Sequence, residues 1–203
     1  SVLLTDDGPW TDELMETLAA YDLRVSSING GPSVAINDPD RASFVRYRRE
    51  VVALLDLAQR LDCPNVTLQP GRPIAGVDER VTLDRTQAHF AELAPLAKAR
   101  GVTLSVEGHQ GSLLEKPDVA RRMMMALWPG VGFTYDPSHW AMQRIPLEET
   151  AALLAYTYHV HVRNAKPGAM QASMAEGDVD FAWLVGALRD LDYTGAVAIE
   201  YFN

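Results

Sequence analysis

The chain has 203 residues, 47% hydrophobic and 22% charged, which is enough for one domain with a sizeable core. Its formal net charge of −9 repels phosphate backbones and argues against nucleic acid as a partner. The single cysteine, Cys63, excludes an internal disulfide framework, and no apolar run of about 18 residues is present to cross a membrane. No signal peptide is visible at Ser1, so the cytoplasm is the expected location.

Thr11–Tyr21 reads as the first helix, and Leu23–Asn29 as the strand after it. Val2–Thr5 has the composition of another strand's tail. Arg41–Leu61 is the longest helical pattern, with Phe44, Tyr47, Val51, Leu54, Ala58 and Leu61 on one helical stripe. Cys63 falls between that helix and strand Asn65–Gln69, a place that suits a small buried hydrophobe. Asp84 is expected to cap a helix running to Arg100, with Gly101 as its stop. Strand Val102–Glu107, helix Pro117–Leu127, strand Val131–Asp136 and helix Leu147–Tyr156 follow. Strand Tyr158–Arg163, helix Phe181–Leu191 and strand Ala196–Tyr201 complete the series.

This alternation predicts a parallel sheet wrapped by helices, in one domain spanning residues 1–203. An open doubly wound sheet usually carries a G-x-G-x-x-G turn after its first strand, and none is present. The strands favour a barrel. Val102, Leu104 and Val106 share one face of their strand, and Thr103, Ser105 and Glu107 share the other. Tyr158, Val160 and Val162 likewise oppose His159, His161 and Arg163, and Val197, Ile199 and Tyr201 oppose Ala196, Ala198 and Glu200. Strands covered by helices on both faces would read as continuous apolar runs. Here one face is bulky and apolar, fit for packing on helices, and the other is small or polar and ends in a charged group or imidazole. The expected fold is a (β/α)8 barrel with its mouth at the strand carboxyl ends, lacking the first strand and helix in this chain, since six strands are found where eight close a barrel.

Four strand ends carry Glu107, Asp136, His161 and Glu200, at intervals of 29 (107 to 136), 25 (136 to 161) and 39 (161 to 200) residues. Each interval is about one strand–helix unit, and neighbouring strands lie ~4.8 Å apart, so the four ends can converge on one ion. Three carboxylates and an imidazole suit one divalent metal ion of the Mn, Mg, Co or Zn kind rather than a thiolate-loving metal. Each residue alone has a plainer reading. Asp136 before Pro137 and Ser138 is also a good turn initiator, and His139 and His109 are also ordinary loop histidines. His159 reads as a hydrogen-bonded interior histidine. Trp140 and Trp10 read as pocket walls or as packing.

The segments Ser105-Val-Glu107-Gly-His109, Tyr135-Asp136-Pro-Ser-His139, His159-Val-His161-Val-Arg163-Asn164, Glu176-Gly-Asp-Val-Asp180-Phe181 and Ala198-Ile-Glu200 occur in this order. In this the chain resembles the xylose isomerase-like TIM barrels, and among them the sugar phosphate isomerases and epimerases, from about Thr11 to Tyr201. The resemblance implies that Glu107, Asp136, His161 and Glu200 are the metal ligands. It also implies that Glu107 and Glu200 move a proton on either face of a ketose or related sugar, through an enediolate. It makes His139, and in the same way His109, a contact to a substrate hydroxyl or a group that supports the ligands from behind. Arg163 and Gln69 are further polar candidates near the mouth by their position alone. The family's usual His-x-Lys-Asp stands here as His161-Val162-Arg163-Asn164, which exchanges an ammonium for a planar fork and removes a negative charge.

Three other readings are weighed against this one. A dehydratase acting on a cyclitol or sugar would use the same ion. A non-catalytic sugar-binding protein would keep the barrel alone. A DNA-repair phosphodiesterase would need a trinuclear site with more histidines than Leu23–Asn29, Asn65–Gln69 and Ala165–Asp180 supply, which is none. The expected partner is a small-molecule sugar, with no nucleic acid and no membrane. Relatives often pair, which leaves a homo-oligomer open.

Overall fold

Alternating strand and helix patterns fold into alternating elements in the computed structural model of the chain, which describes residues 9–201. They are α1 (Pro9–Ala20), β1 (Ile28–Gly30), α2 (Arg41–Arg60), β2 (Asn65–Leu68), α3 (Glu79–Lys98), β3 (Thr103–Glu107) and α4 (Pro117–Leu127). Then come β4 (Gly132–Tyr135), α5 (Ser138–Ala141), a 3-10 turn at Leu147–Thr150, α6 (Ala151–Leu154), β5 (Thr157–Val162), α7 (Phe181–Asp190) and β6 (Ala196–Ile199). The strand tail expected at Val2–Thr5 lies outside the described residues. No helix among the described residues is long and apolar enough to cross a membrane.

The six strands pair in parallel and in chain order, β1 to β6. Their sheet is curled. In a flat sheet, side chains on strands two apart stand roughly 9–10 Å from each other. Here Thr67 Oγ1 on β2 and Thr134 Oγ1 on β4 are 2.7 Å apart across β3. His161 Nδ1 on β5 and Glu107 Oε1 on β3 are 2.9 Å apart across β4. The face bearing these residues is therefore the concave one, the inner wall of an incomplete barrel.

That wall is polar and satisfied at its base. Asn65 Nδ2 donates to Ser27 Oγ (2.9 Å) and Thr67 Oγ1 (3.1 Å), and Ser105 Oγ donates to Asn65 Oδ1 (2.6 Å). Buried hydroxyls and amides are tolerated because each finds a partner. The convex face is apolar: Val66, Leu68, Leu104, Val106, Phe133, Tyr135 and Val160 are fully buried in one core with Val51 and Leu55 of α2, Phe90 and Leu93 of α3, and Met124 of α4. The period of two in the sequence is this division of faces.

The expectation of a helix-covered apolar face fails at β6. Val197 is 51% exposed and Ile199 81%, because β6 is an edge strand and the preceding α7 leaves its outer face uncovered among the described residues. Two other boundaries differ from expectation. Leu23–Asn29 contributes only Ile28 and Asn29 to a strand, β1. The helix expected at Leu147–Tyr156 is split into the 3-10 turn and α6, at a point where Thr150 Oγ1 bonds back to Leu147 O (2.6 Å) and Tyr135 OH lies 2.6 Å from the same hydroxyl.

The start of α3 also differs. Asp78, not Asp84, is its N-cap: the Asp78 carboxylate accepts from Arg80 N at 2.8 Å, and Asp84 lies inside the helix. Gly101 is the stop expected, at φ +70°, where glycine is favoured. Asp78→Ala is expected to cost about 1 kcal/mol in urea unfolding, and Asp84→Ala less than about 0.5 kcal/mol. Equal costs would refute this placement of the cap.

Candidate metal centre at the barrel mouth

Each functional side chain is placed by the end of its strand. Glu107 closes β3, and Gly108 follows where a Cβ would press at 3.0 Å on both Leu114 O and the Phe133 ring. Asp136 follows β4 directly. Its Oδ1 accepts from Ser138 N (2.8 Å), which opens α5 and leaves Oδ2 facing the mouth. Asp136 thus serves both its turn and the site. His161 lies on β5, and Glu200 follows β6, with its amide donating to Val162 O (3.1 Å).

One donor atom each from Glu107, Asp136, His161 and Glu200 lies within 4.8 Å of the other three. His161 Nδ1 sits between the two glutamates, 2.9 Å from Glu107 Oε1 and 3.5 Å from Glu200 Oε2. The Asp136 side chain is fully buried, Glu107's nearly so, and Glu200's is 21% exposed. Burial works against a charged Glu107, but the hydrogen bond from His161 and the His161 charge, the largest of the opposing effects, outweigh it and hold its carboxyl below the usual range. Burial dominates at Asp136 and lifts its carboxyl to about 6, against the pull of Arg163 and Ser138. Burial also disfavours a charged His161, yet the Glu107 hydrogen bond and the charges of Glu107, Glu200 and Asp136 raise it.

Arg163 reaches the same centre. Its guanidinium, 2% exposed, donates to Asp136 Oδ2 (2.8 Å) and to Ser138 Oγ (3.1 and 3.0 Å), and lies 3.3 Å from Glu200 Oε2. Ser138 was not among the residues singled out in the sequence; nothing but its place two residues after Asp136 marks it. His139 Nε2 is 3.3 Å from the Arg163 NH2 group and 3.5 Å from Asp136 Oδ2, and its Nδ1 is buried without a partner. Burial pushes His139 down to about 4, so this imidazole is neutral at pH 7. The His109 ring is 5.5 Å from that of His139. Gln69 Nε2 donates to Glu107 Oε2 at 2.9 Å, so Gln69 orients a carboxylate of the centre. His109 and Gln69 also line a cleft of about 690 Å³ beside the centre, with Gly31, Val34, Ile36 and Arg72.

Three residues fall elsewhere. Trp140 is fully buried against Phe133 and Tyr135, with ring centroids 6.3 and 5.0 Å away, and belongs to the core rather than to a pocket wall. His159 is buried below His161, ring edge to ring face at 5.0 Å, outside the four-residue cluster. Its Nδ1 lacks the hydrogen bond expected of it. Cys63 is buried, and its thiol donates to Asn65 O.

Asn164 has a role the sequence did not disclose. Its Nδ2 donates to Ser173 O (3.1 Å) and Met174 O (3.4 Å), and its Oδ1 accepts from Ala165 N and Val179 N (3.1 Å each). The side chain therefore pins both ends of the loop at residues 165–180, and a Cβ at Gly177 would collide with it. Asp180 closes the loop by capping α7 at Trp183 N. Asn164→Asp, which restores the family's usual acid, replaces the amide donor with an anion facing two carbonyls. It is expected to cost about 2–4 kcal/mol and to speed hydrogen exchange at Ala172 and Asp178. Unchanged protection of those amides would refute the pinning role.

The donor set fits a divalent cation. Three carboxylates crowded this closely and this deeply are costly unless cations offset them. Carboxylate oxygen with one imidazole nitrogen is the ligand chemistry of Mn, Mg, Co or Zn.

Fold and centre together define an incomplete parallel β/α barrel with an acidic and imidazole cluster at the carboxyl ends of its strands. The chain belongs to the xylose isomerase-like TIM barrel family, whose model matches residues 3–203. A D-tagatose 3-epimerase-like protein superposes with a TM-score of 0.84 at 18% identity, over 97% of this chain and 78% of that one. A 3-keto-D-glucoside 4-epimerase from E. coli gives 0.80 at 16% identity, over 98% and 78%. The IOLI protein with a bound zinc atom gives 0.80 at 17% identity, over 97% and 74%. No curated protein sequence matches the chain.

Proposed function

We propose that the chain is a metal-dependent isomerase or epimerase of a ketose or related sugar. The observation that carries this reading is the opposition of Glu107 and Glu200, which approach one imidazole nitrogen from strands β3 and β6 at 2.9 and 3.5 Å. Family membership and the likeness to a D-tagatose 3-epimerase-like protein and a 3-keto-D-glucoside 4-epimerase support it. A divalent ion held by Glu107, Asp136, His161 and Glu200 would supply Lewis-acid polarisation of the substrate's oxygens.

The chain's own residues then do the rest. One glutamate takes the proton from the carbon next to the substrate carbonyl, and the electron pair moves onto the carbonyl oxygen. The second glutamate returns a proton to the same carbon from the opposite face, which inverts it and makes an epimer. Return to the neighbouring carbon gives an isomer instead. Gln69 and His161 fix the rotamer of Glu107, and the less buried Glu200 faces the open side. In this reading His139, next to Arg163, and His109, whose ring is 5.5 Å from that of His139, are the contacts to sugar hydroxyls.

The test is deuterium wash-in. Chelator-stripped protein reloaded with Mn²⁺ is mixed with D-tagatose, D-psicose and D-fructose in D₂O and followed by NMR. Incorporation next to the carbonyl, with the epimer appearing, supports the proposal. Loss of hydroxyl to give a deoxy ketone would move the chain to the lyases. No exchange with any ketose, despite bound metal, would leave the sugar-binding reading.

A further inference from the structure

Arg163 is two residues beyond His161 on the inner face, one step nearer the mouth. Its fork spans the centre from β4 to β6: one nitrogen is 2.8 Å from Asp136 Oδ2 and another 3.3 Å from Glu200 Oε2. These are two of the carboxylates that would hold the ion. The guanidinium is anchored from behind by Ser138 Oγ and flanked by His139 Nε2.

Charge decides what such a residue does. Three carboxylates and a neutral imidazole carry −3, and a divalent cation leaves −1. Arg163 brings the loaded centre to zero, the least costly state for a buried cluster. Without the ion, the Arg163 guanidinium is the permanent cation that lies against these carboxylates, at 2.8 Å from Asp136 Oδ2 and 3.3 Å from Glu200 Oε2. A guanidinium can engage two carboxylates through separate N–H groups at fixed spacing, which a lysine ammonium cannot do.

We propose that Arg163 is the built-in counter-cation of the metal centre, holding Asp136 and Glu200 in place in the metal-free chain and keeping affinity for the divalent ion low by competing for the same oxygens. Arg163 is a positioning residue in this account, and the proposal rests on the metal-dependent reading of the site. It makes the centre pre-assembled and its metal exchangeable.

The experiment compares wild type, Arg163→Gln and Arg163→Lys, all stripped by chelator, in calorimetric titration with MnCl₂ and in thermal unfolding. Removing one charge this close to a divalent ion is expected to tighten Mn²⁺ binding by about tenfold or more. The metal-free melting temperature of Arg163→Gln falls, and its rise on adding Mn²⁺ exceeds that of wild type. Arg163→Lys keeps the charge but cannot span Asp136 and Glu200 as the fork does, so it is expected to tighten Mn²⁺ binding by clearly less than Arg163→Gln. A merely structural arginine would give Arg163→Gln weaker or equal Mn²⁺ binding, and that result would overturn the proposal. Equal tightening in Arg163→Lys would overturn it too. If wild type binds no Mn²⁺, the metal reading falls and the proposal with it; if wild type binds and the variants match it, the proposal falls alone. Should Arg163→Gln not fold, the Arg163 Nε–H resonance of wild type decides: Zn²⁺ shifts it if the proposal holds, and an unmoved signal refutes it.

Discussion

Glu200→Gln, loaded with Mn²⁺, is expected to lose deuterium wash-in by at least about a hundredfold per bound metal while remaining folded. The side chain is 21% exposed and its oxygen faces Arg163 at 3.3 Å and His161 at 3.5 Å, so the amide oxygen can keep one of those contacts at little cost to stability. The loss of rate then reports the missing base rather than a collapsed site. Glu107→Gln is expected to lose wash-in as severely, but with a stability cost of about 2 kcal/mol as well. Its Oε1 accepts from His161 and its Oε2 from Gln69, and an amide must turn its NH₂ toward one of those donors. Normalising to bound metal matters because both residues are in the donor set. Wash-in by Glu200→Gln within tenfold of wild type would mean that a single carboxylate carries the proton traffic, and the two-face reading would be abandoned.

The convergence of Glu107, Asp136, His161 and Glu200 was legible because it depends only on period and end position. In a strand, alternate residues share a face, and in a parallel barrel all carboxyl ends meet at one mouth. Four polar strand ends in register with small inner-face residues were therefore enough to place four side chains near one point. The outer face was legible for the same reason at Leu104, Val106, Phe133 and Val160, which are buried as their pattern requires. Pattern alone could not say whether a helix covers a given strand. Val197 and Ile199 read like core residues and stand exposed, because cover depends on what lies beside the edge strand.

Contacts made across long stretches of chain were not legible. Asn164 reads as a lost acid beside the metal centre, yet its amide closes a loop by bonding residues up to 15 positions away. Arg163 reads as a substrate contact, and its fork is placed between Asp136 and Glu200 only once β4 and β6 are brought to either side of β5. The cap of α3 was misplaced for a local reason. Asp84 has the composition of a cap, but the carboxylate that meets a free amide is that of Asp78, at Arg80 N.

The pH dependence of metal loading follows from the same crowding. Asp136 is raised to about 6 by burial, above its unfolded value of about 3.9. A carboxyl raised in this way contributes stability to the metal-free fold in full below its unfolded pKa, and that contribution is lost as pH rises through about 6. His161, raised chiefly by Glu107 against its burial, behaves alike: its contribution is complete below the unfolded histidine value and lost as pH passes the folded one. Glu107 has the opposite sign, contributing above its unfolded pKa and losing that contribution only in stronger acid. A bound cation requires Asp136 charged and the liganding nitrogen of His161 free, so binding displaces protons at both. Saturating Mn²⁺ at about a hundred times its dissociation constant is expected to stabilise the protein by about 2.7 kcal/mol at pH 7.5. Below pH 6 the affinity should fall by about tenfold or more for each pH unit, because at least one proton competes with each ion. Thermal melts with and without Mn²⁺ from pH 5 to 8 would then diverge as pH rises. A metal-induced shift that stays constant down to pH 5 would remove Asp136 and His161 from the donor set, because ligands that must shed protons cannot bind an ion equally well at every pH.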